Sequence, residues 1–348
     1  MGTSRCSSAR KQCVSDNGRR VMSRGNMPPV GLFGKLPSHP DFIRLNAGGP
    51  LARTMDEWMQ EGMSNMRLQV GDGWESMFDR AAPVYFVYRD KDPSTALIGV
   101  SRPSYDQTGR RYPFSVFAYA HLGRNGSGIH VAPHAYAPFL KAAHRIMTTN
   151  CVDGIDNSRA AQIMNLASAI PQSLAEYESR FNRYLSELTM ESFWLGLYND
   201  FLDRRKYLLM KNLFRTLAPR RGHDHTRFAF SLHLPTAEAM DQVVLQIAIW
   251  YQICRSTIGH QALERSAIFW NAESQPPARG CTLYFNTPAP KSMINLFAPG
   301  WEDGAVLFVD LMGAENIETA RDELGVTLAG ALDDRTNTMK NFIRALAA

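Results

Sequence analysis

A short polar segment between two apolar runs holds side chains that could do chemistry. Ser104 and Asp106 lie two residues apart in it, and Arg110 and Arg111 follow. A serine beside an acid could serve nucleophilic catalysis, but a triad also needs a base and an orienting group, and no G-x-S-x-G elbow is present. We interpret Asp106 as a turn former that pairs with Arg110 across the tip, a surface interaction worth about 0–1 kcal/mol.

The arginines allow a second interpretation of the same segment. Arg110 and Arg111 each carry a planar guanidinium that can bind a carboxylate or a phosphate through two hydrogen bonds, so the pair could contact an acidic or phosphorylated partner. The same choice, between a loop salt bridge and an interaction surface, applies to Lys35, Asp41 and Arg44. The candidate partner interface consists of seven residues: Lys35, Asp41, Arg44, Ser104, Asp106, Arg110 and Arg111.

Two apolar runs must position this polar segment. Ala96–Val100 and Phe114–Tyr119 are rich in β-branched and aromatic residues and are bounded by Pro or Gly, which predicts two strands. Neither run alternates cleanly with polar residues, which indicates that both faces of the strands are covered. Because Asp106-Gln107-Thr108-Gly109 has the composition of a turn, we predict a hairpin with a buried stem and the four polar residues at its exposed tip.

Other patterns that could carry chemistry are incomplete. Gly31-Leu32-Phe33-Gly34-Lys35 lacks the spacing of a phosphate-binding loop, and Leu36 stands where a Ser or Thr would hold magnesium, so we interpret the glycines as sites of close strand packing. His223-Asp224-His225 could offer two imidazoles to a metal, but no matching Cys or His pair stands nearby in the sequence. We therefore predict no metal site, no cofactor and no catalytic residue.

Composition and charge narrow the classes of function. The 348-residue chain is 45% hydrophobic and 20% charged, as is typical of soluble globular proteins. Residues 1–27 carry the whole net charge of +5, so the remainder is neutral and lacks the basic excess typical of a nucleic-acid-binding protein. No apolar run reaches the length of a membrane span, and the odd number of cysteines, five, indicates reduced thiols in a cytoplasm.

The order of predicted elements favours a layered α/β fold. Residues 30–36 and 84–88 read as strands, and a helix over Pro50–Val70 is predicted between them. Residues 133–219 read as helices, after which short strands alternate with helices. We therefore expect a three-layer α/β/α sandwich around a mixed sheet, with a helix-rich middle segment. Residues 28–348 would form one domain behind a disordered basic tail at residues 1–27, which could instead reflect a mis-assigned start.

Several predictions concern the second half of the chain in more detail. Residues 191–217 read as one helix with a continuous apolar stripe, and residues 317–347 read mainly as helix. Thr236 is predicted to cap a buried helix that follows it. The predicted strands of this half are Phe228–Leu234, Ala267–Trp270, Thr282–Phe285 and Val306–Asp310.

Three separate motifs follow one another in the first third of the chain. They are GLFGKLP with DFIR at residues 31–37 and 41–44, DEWMQ at residues 56–60, and PSYDQTGRRYPF at residues 103–114. In this order they resemble the TagF family, also called ImpM, of type VI secretion system-associated proteins. The resemblance covers residues 30–120 well and the C-terminal half loosely.

The resemblance implies an α/β/α sandwich and a cytoplasmic, non-enzymatic regulator. Such a regulator acts after translation, through protein–protein binding, to repress assembly or firing of the secretion machine. The implied partner is a forkhead-associated scaffold protein linked to a threonine kinase and phosphatase pathway. Two alternatives stay open: a hydrolase or phosphatase-like enzyme that uses Ser104, Asp106 and a distant histidine, and a structural subunit of the machine. Homo-oligomerisation stays open as well.

Overall fold

A computed structural model gives the fold of this chain. It describes residues 29–149, 157–223, 228, 230–259, 263, 265–271, 279–298, 301 and 306–347. The predicted tail of residues 1–27 lies outside these ranges, as do Asp224 and His225 of the predicted histidine loop.

Nine strands of the described chain form a single mixed sheet. They are β1 (Val30–Gly34), β2 (Ile43–Leu45), β3 (Val84–Tyr88), β4 (Thr95–Arg102), β5 (Phe114–His121), β6 (Ser231–Pro235), β7 (Ala267–Asn271), β8 (Gly280–Tyr284) and β9 (Val306–Phe308). Their order across the sheet is β2-β1-β5-β4-β3-β7-β8-β6-β9. Neighbouring strands are antiparallel except β6 and β9, which are parallel.

Side chains of the central strands alternate between two apolar cores. In β5, Val116 points into one core and Phe117 into the other, and in β3 Val87 and Phe86 divide in the same way. Successive residues of a strand point to opposite faces, so an uninterrupted apolar run requires cover on both sides. The prediction that both faces of the hairpin strands are covered is therefore confirmed.

Helices provide that cover, and together with the sheet they form the predicted three-layer α/β/α sandwich. The face that carries Phe117 packs against α1 (Pro50–Val70), α2 (Trp74–Asp79) and α10 (Ile294–Phe297). The face that carries Val116 packs against the other helices, many of them in the predicted helix-rich middle segment. These are α3 (Ala132–Ala135), α4 (Ala137–Thr149), α5 (Asn157–Asn165), α6 (Ala175–Glu187), α7 (Met190–Tyr198), α8 (Arg205–Leu217), α9 (Met240–Ile258), α11 (Ala320–Glu323), α12 (Val326–Asp333) and α13 (Met339–Ala347).

Helix α1 has the bounds that its sequence predicts. It begins at Pro50, whose missing N–H needs no partner in the first turn, and it ends where Gly71 takes a positive φ of 69°. None of the helices in the described chain has the length and apolar character needed to cross a membrane.

Other predicted bounds in the second half are wrong. The helix predicted over residues 191–217 is broken, because Asn199 takes a left-handed φ of 58° after α7 and α8 begins only at Arg205. The prediction that residues 317–347 are mainly helical is confirmed, in three pieces, α11, α12 and α13, with Gly325 at φ 81° before α12. Thr236 does not cap α9, which begins at Met240 after Ala239.

Two glycines bring β1 close to β5, as the sequence predicts. A Cβ atom on Gly31 would lie 2.7 Å from a ring carbon of Phe117. A Cβ atom on Gly34, whose φ is +134°, would lie 2.2 Å from the carbonyl oxygen of Pro113. Because no side chain fits in these gaps, β1 can deliver the loop that follows it directly beside the start of β5.

Candidate functional site

The predicted hairpin is formed by β4 and β5, which pair from Thr95 and His121 to Arg102 and Phe114. Its tip, residues 103–113, folds onto the β1–β2 loop, residues 35–42. The Gln107 amide donates to the His39 carbonyl oxygen at 2.9 Å, and Arg110 Nη2 donates to the Pro40 carbonyl oxygen at 3.0 Å. The tip is thus held against the neighbouring loop along its length.

Asp106 organises the hairpin tip from within. Its Oδ1 accepts hydrogen bonds from the Thr108 hydroxyl at 2.7 Å, the Thr108 amide at 3.0 Å and the Arg110 amide at 3.0 Å. Its Oδ2 lies 2.7 Å from Arg110 Nε and 3.0 Å from Lys35 Nζ. Gly109, at φ 85°, closes the turn by donating its N–H to the Asp106 carbonyl oxygen at 2.8 Å. The interpretation of Asp106 as a turn former paired with Arg110 is confirmed.

The expected exposure is wrong for Asp106 and Ser104, so the ion pair between Asp106 and Arg110 is not the surface interaction that was predicted. Asp106 is fully buried and Ser104 is buried beside it, so neither can belong to an exposed tip. The hairpin tip lies under the β1–β2 loop, and this cover removes the Asp106 carboxylate from water. An ion pair to a buried carboxylate is screened much less than one at the surface.

The contacts of Asp106 keep its carboxylate ionised. Burial by itself raises the pKa of Asp106, but the hydrogen bonds from Thr108, Lys35 and Arg110 outweigh burial and hold the pKa well below its usual range. A carboxylate offers about four lone-pair sites, and five donors already surround this one. Asp106 is therefore committed to the tip and is poorly suited to accept a proton from a substrate.

A second buried carboxylate, Asp56 of α1, ties the tip and β2 to that helix. The Tyr112 hydroxyl donates to Asp56 Oδ1 at 2.5 Å, and Arg44 of β2 donates to Asp56 Oδ2. The rings of Phe42 and Tyr112 meet edge-on with their centroids 5.0 Å apart. The Arg44 guanidinium lies over the Phe42 ring, 5.0 Å from its centroid. Arg44 thus forms an internal salt bridge, yet 54% of its side chain stays exposed.

Arg111 joins the tip to α2. Its Nη2 lies 3.0 Å from Asp79 Oδ2, and its Nη1 lies 3.1 Å from Glu75 Oε2 and donates to the Gly109 carbonyl oxygen at 2.9 Å. These carboxylates raise the pKa of Arg111. Since two acids already neutralise this guanidinium, Arg111 is a structural clasp, and its availability to a partner is low.

The exposed surface keeps three of the seven predicted interface residues and adds a fourth residue that was not predicted. Arg110 exposes 60% of its side chain, Arg44 stays open as described, and Asp41 is exposed. Tyr105, which the sequence reasoning did not single out, is 44% exposed. An aromatic residue in a polar loop between two prolines is the signal that could have identified it, since tyrosine and arginine are enriched where partners bind.

Catalysis at Ser104 would need a base hydrogen-bonded to its hydroxyl. In the part of the chain that the structure describes, no hydrogen bond joins the Ser104 hydroxyl to a histidine, and the ring of nearby His39 contacts Ser38 instead. The Ser104 carbonyl oxygen accepts the Tyr112 amide at 2.9 Å as part of the hairpin. Among the same described residues, no group of three or more His, Cys, Asp or Glu side chains could hold a metal ion.

Comparisons with known proteins address the region that holds this site. The TagF N-terminal domain, described as type VI secretion system-associated, matches residues 31–166. A search of curated proteins finds no match. The crystal structure of PA0076 from Pseudomonas aeruginosa PAO1 is similar at 15% identity with a TM-score of 0.41, over 76% of this chain and 92% of that one.

The matched segment runs from β1 to the end of α5 and contains the β1–β2 loop, α1, α2 and the whole hairpin. All seven residues of the predicted interface lie within it. Residues 31–166 of this chain are therefore similar to the N-terminal domain of type VI secretion system-associated TagF proteins, in the region where its motifs lie.

Proposed function

We propose that this protein is a cytoplasmic, non-enzymatic regulator of a type VI secretion system that represses assembly or firing of the machine after translation. The observation that carries the proposal is the match of residues 31–166 to the TagF N-terminal domain. That segment also holds the surface best suited to binding, because the hairpin tip presents exposed side chains on a framework fixed by buried ion pairs.

The geometry of the tip suits binding better than turnover. Asp106 and Asp56 have their acceptor sites occupied by Lys35, Arg110, Arg44 and other donors of the same cluster. A loop held in this way loses little conformational entropy when a partner binds, which favours affinity. A catalytic acid or base, in contrast, must be free to exchange a proton with a substrate.

The exposed residues indicate the kind of partner. Arg110 and Arg44 have largely exposed side chains, and Tyr105 of the hairpin tip is exposed as well. Exposed arginine and tyrosine side chains suit an acidic or phosphorylated protein surface. A forkhead-associated scaffold component of the secretion machine is the partner we propose.

Secretion assays and co-purification from one set of strains test the proposal. We expect that deletion of the gene raises effector release and that the full chain restores repression. Tyr105→Ala and Arg110→Gln should each weaken repression and recover less of the scaffold from lysate. Leu68→Ala, at an apolar residue of α1 that is 83% exposed and distant from the tip in sequence, is the matched control and should behave as wild type.

Three results would count against the proposal. Effector release that is unchanged or lower in the deletion strain would remove repression. Recovery of no secretion component would remove the partner. Stoichiometric presence of the protein in purified assembled machines would favour a structural subunit.

Ser104→Ala separates the regulator from the enzyme alternative. We expect this variant to repress secretion fully, because Ser104 contributes its backbone carbonyl to the hairpin and no base activates its hydroxyl within the described residues. Loss of repression by a folded Ser104→Ala variant would return the hydrolase interpretation to first place.

A further inference from the structure

A cleft beside α8, far from residues 31–166 in sequence, has an excess of basic side chains. Its volume is about 330 Å³, and it lies between α8 and the segment that follows β9. Lys211, Arg215 and Arg220 line it, and Leu307 and Met312 provide an apolar wall. The proposed regulation does not involve this cleft, so its ligand must be inferred from the residues that line it.

Two of the three cations share one carboxylate. Lys211 and Arg215 are four residues apart on α8, so they lie on the same face of the helix. Both are directed at Glu323 of α11: Arg215 Nη2 donates to Glu323 Oε2 at 2.5 Å, and Lys211 Nζ lies 3.6 Å from the same oxygen. A single negative charge therefore faces two positive charges.

Lys211 is the more unusual of the two. Only 4% of its side chain is exposed, and 3.6 Å is too long for an N–H···O hydrogen bond. Its ion pair with Glu323 is therefore a long one, and an anion in the cleft could approach the ammonium group more closely.

Arg220 adds a third positive charge. It donates to the Thr216 carbonyl oxygen, and its guanidinium lies over the ring of Phe230 at 4.8 Å. No carboxylate of the described chain lies within ion-pair distance of it. With Lys211 and Arg215 set against Glu323, the cleft carries a surplus of two positive charges. A phosphate monoester carries about −1.5 to −2 charges at pH 7, which matches this surplus.

We propose that the cleft binds a phosphate-bearing small molecule. Lys211 and Arg215 hold the phosphoryl group, Arg220 approaches it from the side of Thr216, and Leu307 and Met312 contact the organic part. Arginine and lysine are the usual phosphate ligands, and the volume lies near the lower end of small-molecule sites, about 300–1,000 Å³.

Calorimetric titration of the full chain tests this site, with phenyl phosphate, inorganic phosphate and benzoate as probes. We expect saturable one-to-one binding of phenyl phosphate and weaker binding of inorganic phosphate. The affinity for benzoate should be lower than that for phenyl phosphate by about tenfold or more, because a carboxylate carries less charge than a phosphate. Lys211→Met and Arg215→Gln should each weaken phenyl phosphate binding about tenfold or more. Arg183→Gln, at an exposed arginine of α6, is the matched control and should bind as wild type.

Glu323→Gln gives a readout that a purely structural role of the cluster would not produce. Removal of the competing carboxylate should tighten phenyl phosphate binding, although it deletes an ion pair. Arg215 is exposed, so Arg215→Gln keeps the test valid if Lys211→Met fails to fold. The proposal is overturned if wild type shows no saturable binding of phenyl phosphate or if Arg215→Gln binds as wild type.

Discussion

The hairpin tip and the α8 cleft balance their charges in opposite ways. At the tip, five hydrogen-bond donors surround the Asp106 carboxylate, so Lys35 and Arg110 are paired with an acid of the same cluster. In the cleft, Glu323 alone serves Lys211 and Arg215, and basic charge is left over. The first arrangement makes a rigid surface, and the second leaves donors for a ligand. An exposed arginine at the tip therefore belongs to a neutralised ion pair, whereas one in the cleft belongs to a cluster with excess positive charge.

Asp310, in the segment that follows β9, shows how strongly the supply of donors decides the state of a buried acid. Its Oδ1 has no hydrogen-bond partner among the described residues, and burial raises its pKa to about 6 although Arg205 nearby opposes the shift. Asp106 is buried as well, yet its hydrogen bonds lower its pKa. An ionised aspartate thus stabilises the fold at position 106 and destabilises it at position 310.

The largest expected effect comes from removal of the carboxylate that the tip is built around. Asp106→Ala leaves Lys35 and the amides of Thr108 and Arg110 without their acceptor in a buried site, so the free energy of unfolding should fall by about 3–5 kcal/mol. Urea denaturation measures the change. Asp41→Ala, at an exposed acid of the adjacent loop, should change it by less than about 1 kcal/mol.

The pH dependence of unfolding in wild type and in Asp106→Asn checks the cause. Because the folded state lowers the pKa of Asp106, its stabilisation is complete above the unfolded value of about 4 and is lost as the pH falls through the lower folded value. Asp106→Asn should lack this loss on the acid side. An equal acid-side loss in Asp106→Asn and wild type would contradict the assignment.

The second effect has the opposite sign and comes from Asp310. Its folded pKa of about 6 exceeds the unfolded value of about 4, so Asp310 alone should take about 2–3 kcal/mol from the unfolding free energy as the pH rises from 4 to 7. Asp310→Asn should remove most of that loss and be the more stable protein at pH 7. Urea denaturation at several pH values measures it, and a variant less stable than wild type at pH 7 would refute it.

A smaller effect is expected at the clasp between the tip and α2. Arg111→Gln removes ion pairs to Asp79 and Glu75, both partly exposed, so it should lower the unfolding free energy by about 1 kcal/mol. Raising the salt concentration should shrink the difference from wild type. A loss as large as that of Asp106→Ala would show that Arg111 is part of the buried network.

The smallest effect is expected in the cleft. Lys211→Met replaces a buried ammonium, 3.6 Å from the Glu323 carboxylate, by an apolar side chain of similar length, and Glu323 keeps its ion pair with Arg215, so thermal unfolding should stay near that of wild type or move slightly upward. A strong destabilisation would mean that Lys211 acts through its contact with Glu323, and the contrast between the two regions would weaken.

The local sequence pattern predicted the structure correctly where a single kind of interaction determines it. The bounds of α1, the covered faces of the hairpin strands and the close approach at Gly31 and Gly34 all follow from apolar spacing and from the special backbone of Pro and Gly. Helix bounds in the second half were predicted less well. The apolar stripe of residues 191–217 continues past Asn199, but Asn199 takes a left-handed φ and the next helix begins only at Arg205.

The amino-acid sequence by itself determined the layered α/β architecture, the hairpin, the turn at Asp106 and the TagF motifs, because each depends on neighbours along the chain. Only the tertiary structure decided which charges are buried. Asp106 meets Lys35 from another loop, Arg111 meets Asp79 from α2, and Lys211 meets Glu323 from α11. Burial and the number of donors around an acid depend on segments distant in sequence, and spacing along the chain does not encode them.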